Sequence, residues 1–220
     1  MDSRRAESFS DGVFAVAITV LVFNLLPIAD RTAAGLHARS LAHYWPAYVA
    51  YVVSFLTIGI MWLNHHLMLA QVTRVNRPML VLNLLLLMGI VALPFPTALV
   101  ADHLTGAGAS HGQATVAAVT YGLLMIEISV SFGLLWLYMA GHAGQLGGRQ
   151  PGGVPRIATI RFTAGNAGYV AATLIALVSP LTALIIYGLL AVYYMFEHLP
   201  EPAADDTAAG TDPGSATRRP

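Results

Sequence analysis

Long apolar runs, almost free of charged residues, are the feature that most constrains this chain. The hydrocarbon core of a bilayer needs about 20 mostly apolar residues per crossing helix, and several runs reach that length. Charged residues make up 10% of the chain, against about 25% in an ordinary globular protein. The sequence therefore predicts an all-α membrane protein.

The composition also argues against several other classes of protein. The 11 basic residues are balanced by 11 acidic ones, so no basic surface indicates nucleic acid as a partner. The chain has no Cys, which removes disulfides, thiolate metal sites and cysteine nucleophiles. No Walker loop, GxSxG motif or dinucleotide fingerprint occurs in a fitting context, and we do not expect an enzyme.

Six apolar runs predict six transmembrane helices. Residues 1–199 are expected to form one transmembrane domain, and residues 200–220, which are rich in Pro, Gly and Ala, a disordered tail. The last two runs are short, so a single re-entrant hairpin in their place stays open. The predicted spans are 9–28, 45–69, 79–100, 116–139, 162–178 and 181–196.

The arginines predict how the spans are oriented, because basic residues concentrate in cytoplasmic loops. With the N-terminus inside, only Arg31 and Arg39 fall on the outer side. We therefore expect both termini in the cytoplasm and the chain in the cell membrane. The arginines that fall inside are Arg4, Arg5, Arg74, Arg77, Arg149, Arg156, Arg161, Arg218 and Arg219.

Polar residues at the start of the first span are candidate functional residues, since ionisable groups at membrane depth are costly. They are Arg5, Ser10 and Asp11. Asp11 fits a helix N-cap, or it is buried and paired with Arg5. The two residues are six positions apart, so a direct pair needs an unwound helix start or another span. Both interpretations stay open.

A second polar group, Trp62, Asn64, His65 and His66, ends the second span at the same membrane face. Adjacent helical residues point about 100° apart, so only one histidine can face a given neighbour. The sequence has no HExxH motif and no histidine pair at a spacing of four, and we expect no metal site.

Two further polar residues lie within predicted spans. Glu127 is midway along the fourth span, where it is either a proton-relay group or a protonated acid bonded to a neighbouring helix. Asn83, early in the third span, is suited to an interhelical hydrogen bond.

Several of these residues belong to motifs. The segment Arg5–Asp11 reads RxxxFSD and leads directly into the first span. Together with Met61–His66, Asn83 and Leu93–Pro96, it closely resembles the transmembrane protein 175 family of potassium channels, in its prokaryotic single-repeat form. The resemblance follows the order of spans to about residue 196, with its sharpest motifs in the first 100 residues.

The resemblance implies a homotetramer with six helices per subunit and one pore lined by the first helix. It implies a potassium leak, with membrane lipid and K⁺ as the partners and no cofactor. The sequence agrees in having no regular arginine series that could sense voltage. By resemblance, the hydrogen-bond network that holds the pore helix comprises Arg5, Ser10, Asp11, Trp62 and Asn83, with His65 or His66.

The resemblance also places the pore constriction at apolar rings, here Val16, Val20 and Phe23, with the Thr19 hydroxyl nearby. Spacing alone favours lipid-facing or core packing for these residues. No Thr-Val-Gly-Tyr-Gly loop offers a carbonyl filter. Because Val16 is small and Phe23 bulky, we expect the narrowest ring at Phe23. A secondary cation or proton carrier that uses Glu127 as relay is the alternative function.

Overall fold

All regular structure in the described part of the chain is helical. The computed structural model describes residues 2–28, 42, 44–105, 110–148 and 156–196, and the predicted tail at 200–220 lies outside them. Within these ranges there are seven α-helices and one 3-10 segment, Leu21–Leu25, which follows α1 directly. The helices are α1 Ser3–Val20, α2 Trp45–Leu69, α3 Arg77–Ala92, α4 Pro94–Thr105, α5 His111–Gly141, α6 Arg156–Ala176 and α7 Pro180–Phe196.

Helix α1 begins before the predicted first span. The Asp2 side chain accepts a hydrogen bond from the Arg4 backbone N–H at 3.1 Å and so caps the helix. Asp11 therefore lies inside the helix and is not its cap. The buried residues of α1 recur every three or four positions, which gives one packed face toward α2 and α3. They are Ser3, Ala6, Ser10, Phe14 and Ala17.

The predicted third span is interrupted by a proline. Pro94 has no N–H to continue the hydrogen-bonding pattern, so α3 ends at Ala92 and α4 begins at Pro94. The 3-10 segment lies against this break, where Asn24 Nδ2 donates to the Pro94 carbonyl oxygen at 3.0 Å. The 3-10 segment and the helix break at Pro94 are therefore in direct contact.

Four helical segments in the described residues are long and apolar enough to cross a bilayer. A shorter apolar helix spans Pro180–Tyr194. The all-helical membrane class predicted from sequence is confirmed. The four segments are Ser3–Ile28, Ala47–Leu69, Arg77–His103 and His111–Gly141.

Helix α5 is the centre of the bundle. It contacts α3, α4, α6 and α7. Its start is fixed by a capping box, in which Ser110 and Gln113 each bond the other's backbone N–H. Four fully buried side chains at the α3–α5 contact are Leu86, Ile90, Met125 and Ile128.

Three connections meet at one end of the bundle. The Ser3 N–H donates to the Thr73 carbonyl at 3.3 Å, and the Thr73 N–H donates to the Leu146 carbonyl at 3.1 Å. Asn76 also donates to the Tyr138 hydroxyl at 2.8 Å. The start of α1 and the segments that follow α2 and α5 therefore share one end of the molecule.

Candidate functional site

A buried chain of hydrogen bonds joins α2, α3 and α1. His65 Nε2 lies 2.7 Å from Asn83 Oδ1, so the imidazole is the donor in this bond. Asn83 Nδ2 donates to Ser10 Oγ at 3.0 Å, and Ser10 Oγ donates to the Ala6 carbonyl at 2.9 Å. We call Ser10, Asn83 and His65 the polar network; all three are buried.

A second contact between α1 and α2 lies beside the polar network. Trp62 Nε1 donates to Asp11 Oδ1 at 2.8 Å. Asp11 therefore takes its partner from another span. The Arg5 side chain is exposed, and no hydrogen bond joins it to Ser10 or Asp11 in the described structure.

The two adjacent histidines face different helices. His65 is buried and reaches Asn83 on α3, and its ring lies 5.4 Å from the Phe14 ring between centroids. His66 is exposed, and its Nδ1 lies 2.9 Å from Glu7 Oε1 on α1. The geometry therefore assigns His65, and not His66, to the buried contact with Asn83.

Together these contacts fix how α1 is rotated about its own axis. Buried polar groups are costly unless each finds a partner, so another rotation of α1 would leave the Asn83 Nδ2 group without its acceptor. The arrangement offers no nucleophile beside a general base. Its chemical role is to hold α1 in one orientation against α2 and α3.

The four predicted constriction residues lie along one stretch of α1 and its 3-10 continuation. Val16 is 57% exposed and Phe23 59% exposed. Thr19 is exposed and Val20 half-buried. Residues three apart eclipse each other in a 3-10 helix, so Phe23 lies nearly above Val20 and not rotated away from it as in a continuous α-helix.

The Thr19 hydroxyl is already oriented by its own helix. Thr19 Oγ1 donates to the Val16 carbonyl at 2.9 Å. A hydroxyl that uses its hydrogen in this way keeps oxygen lone pairs free to accept. Thr19 therefore presents an oxygen ligand at the exposed face of α1.

Glu127 lies on α5 and packs toward α3. Its Oε1 accepts from Ser131 Oγ at 2.9 Å, and its buried Oε2 has no hydrogen-bond partner within the described residues. The carboxyl group packs where α3 comes closest to α5, since a Cβ added at Gly89 would overlap it.

Sequence reasoning missed two residues that the structure brings into contact with these elements. Glu7 follows Arg5 in the RxxxFSD motif, and its position one helical turn before Asp11 was the available signal. Asn24, whose amide binds the Pro94 carbonyl, gives no comparable signal, because its partner is 70 residues away.

The fold and this site define a helical membrane protein whose first helix is fixed by polar contacts and exposes the opposite face. The family described as "Endosomal/lysosomal potassium channel TMEM175" matches residues 5–94. A potassium channel of Streptomyces collinus is 43% identical over 208 residues, which cover 94% of this chain and 98% of that protein. The chain belongs to the TMEM175 family.

Solved structures agree with this assignment. A lysosomal potassium-selective channel TMEM175 homolog from Chamaesiphon minutus superposes with a TM-score of 0.74 at 32% identity, over 88% of this chain and 96% of that one. A variant of the potassium channel MtTMEM175 shares the fold, with a TM-score of 0.57 at 19% identity over 86% and 88% of the two chains.

Relatives in animals match less than half of this chain. The Gallus gallus protein named endosomal/lysosomal proton channel TMEM175 is 37% identical over 101 residues, 43% of this chain and 20% of that protein. Because the family and these relatives are ion channels, the expectation that the chain is not an enzyme is confirmed.

Proposed function

We propose that the chain is a potassium-permeable leak channel, a homotetramer whose central pore is lined by α1. The observation that carries this proposal is the exposed face of α1, which bears Val16, Thr19 and Phe23 opposite the polar network. The relatives named potassium channels support K⁺ as the permeant ion.

Assembly follows from where that face points. The polar network and the Trp62–Asp11 bond hold α1 so that its apolar face points away from its own bundle. Most homo-oligomers have closed symmetry, and a closed ring of subunits covers this face. With four copies, Val16, Val20 and Phe23 of each chain form three stacked rings around one axis.

Each subunit has six membrane spans in this proposal, and both termini are cytoplasmic. Helix α6 supplies the fifth span and the short helix α7 the sixth. The shared end formed by the start of α1 and the residues around Thr73 supports this orientation, since it brings Arg4, Arg5 and Arg74 to one side. Basic residues favour the cytoplasmic side, which fits a channel of the cell membrane.

Conduction is controlled by hydration at the apolar rings. A narrow apolar passage expels water, so an ion that crosses it loses part of its hydration shell. Potassium is less tightly hydrated than sodium and loses its shell at a lower free-energy cost. Thr19, with its oxygen lone pairs oriented outward from α1, partly replaces the lost water.

The variant Phe23→Ala tests the constriction. Removing the bulky ring widens the pore, so we expect larger currents and a potassium-to-sodium permeability ratio closer to one, measured by bilayer recording of purified protein. Val22→Ala is the matched control, because Val22 is the exposed neighbour of Phe23 on a different side of the 3-10 segment. A Phe23→Ala variant with wild-type current and selectivity would contradict the assignment.

A secondary proton-coupled carrier is the second candidate. The observation that favours it is the buried Oε2 of Glu127, which has no hydrogen-bond partner among the residues that the structure describes. The variant Glu127→Gln separates the two functions. The amide cannot carry a relayed proton, so a carrier loses its coupled uptake, whereas a leak pore keeps its flux. We expect potassium flux in proteoliposomes to persist in this variant, and its abolition would favour the carrier.

A further inference from the structure

Three potential metal ligands converge beside the polar network. Glu7 and Asp11 lie one turn apart on α1, and His66 approaches them from α2. One ligand atom from each of these residues lies within 4.8 Å of the other two. Glu7 and Asp11 are half-buried and His66 is exposed, so a metal ion can reach the group from water.

The residue types match the donors that zinc uses. Zn²⁺ binds imidazole nitrogens and carboxylate oxygens, and its open sites hold three protein ligands with a fourth position left to water. An imidazole ligand favours Zn²⁺ over Mg²⁺ and Ca²⁺, which prefer oxygen donors alone.

The surrounding contacts orient two of the three ligands. The Trp62 indole donates to Asp11 Oδ1 at 2.8 Å, which leaves the second carboxylate oxygen available. The Trp62 and His66 rings lie 6.0 Å apart between centroids. Hydrogen bonds of this kind to ligating carboxylates are typical of metal sites.

We propose that Glu7, Asp11 and His66 form a Zn²⁺ site that links α1 to α2. The expectation of no metal site considered only ligands close together in sequence. Here the ligands come from two different helices, and Glu7 and His66 are almost 60 positions apart in the chain. The regulatory part of the inference rests on the proposed function: bound Zn²⁺ strengthens the contact of the pore helix with α2 and so lowers flux.

Zinc binding is measured directly on purified, tag-free protein in detergent, by competition with a fluorescent zinc chelator. We expect saturable binding of one Zn²⁺ per chain that excess Mg²⁺ does not displace. His66→Gln and Glu7→Gln should each weaken binding by about 10-fold or more, as loss of a contributor to a metal site does. His142→Gln and Asp2→Asn are controls, since both residues lie near the same end without joining the ligand group.

A variant that gains metal affinity complements the variants that lose it. The chain has no Cys, so His66→Cys introduces a single thiolate ligand at the site. Soft thiolate ligands favour soft metals, and we expect this variant to bind Cd²⁺ more tightly than the wild type does. The proposed site is overturned if the wild type shows no saturable Zn²⁺ binding. It is also overturned if His66→Gln and Glu7→Gln both bind Zn²⁺ as the wild type does.

The consequence for flux is measured separately, in proteoliposomes with Zn²⁺ on both sides. We expect Zn²⁺ to lower potassium flux through the wild type and not through His66→Gln. If zinc binds as described and flux is unchanged, the regulatory part is overturned and the site stands. If no sample passes potassium or sodium while zinc still binds, the proposed channel function fails and the zinc site does not.

Discussion

At the scale of single residues, His65 and His66 show how neighbours in sequence take different partners. About 100° of rotation separates adjacent helical side chains, so His65 is buried against Asn83 while His66 meets Glu7 near water. The sequence predicted that one histidine would face a neighbouring helix. It could not choose between them, because the choice depends on how α2 is rotated against α1 and α3.

Two serines of α1 give a matched test of the polar network. Ser8 and Ser10 both donate to the backbone carbonyl four residues earlier, at 2.9 Å. Only Ser10 also accepts a hydrogen bond from Asn83, and only Ser10 is buried. Ser10→Ala leaves the Asn83 amide unsatisfied, so we expect it to lower the free energy of unfolding by about 1–3 kcal/mol.

The measurement is thermal or denaturant unfolding of the purified protein in detergent, followed by tryptophan fluorescence. Ser8→Ala should change stability by less than about 0.5 kcal/mol, as surface substitutions usually do. Equal stability of the two variants would show that the Ser10–Asn83 contact does not stabilise α1.

At the scale of helices, the structure contains two irregular points that the sequence did not predict, the break at Pro94 and the 3-10 segment Leu21–Leu25. Helix α2 runs from Trp45 to Leu69, with Tyr44 and Ala70 as its flanking cap residues. The break at Pro94 follows from the missing N–H of proline. The 3-10 segment has no such signal in its sequence; it packs against α2 and α4, and it bonds Pro94 through Asn24.

The close approach of α3 to α5 depends on Gly89. A Cβ at this position would overlap the Glu127 carboxylate and the Ile128 side chain. Overpacking of a filled contact costs about 1–3 kcal/mol, so we expect Gly89→Ala to lower the unfolding midpoint in detergent. The double variant Gly89→Ala with Glu127→Ala should recover part of the loss, since the larger obstructing side chain is then absent.

Gly59→Ala in α2 is the control for this prediction. A Cβ at Gly59 meets nothing within 4 Å, and alanine has a higher helix propensity than glycine by about 1 kcal/mol. Gly59→Ala should therefore match or exceed wild-type stability. If Gly89→Ala behaves in the same way, the two helices are not in the close contact described.

At the scale of the whole molecule, the apolar runs and the low charge were sufficient to predict a helical membrane protein. The RxxxFSD motif led to the correct family. The resemblance grouped Asp11 with Trp62, but residue spacing alone could not pair residues of α1 with residues of α2, because these contacts join positions about 50 to 60 residues apart. Glu7 and Trp62 show this: each acquires its partner only through the packing of two helices.

The central claim is that this chain forms a potassium pore, and the most direct measurement is potassium flux in liposomes. Purified protein, shown by native mass spectrometry to be tetrameric, is reconstituted with a potassium gradient, and a parallel sample replaces potassium with sodium. We predict fast potassium flux that needs no proton or sodium gradient and is slower for sodium. A tetramer that passes neither ion, or moves potassium only with a coupled proton gradient, would contradict the account.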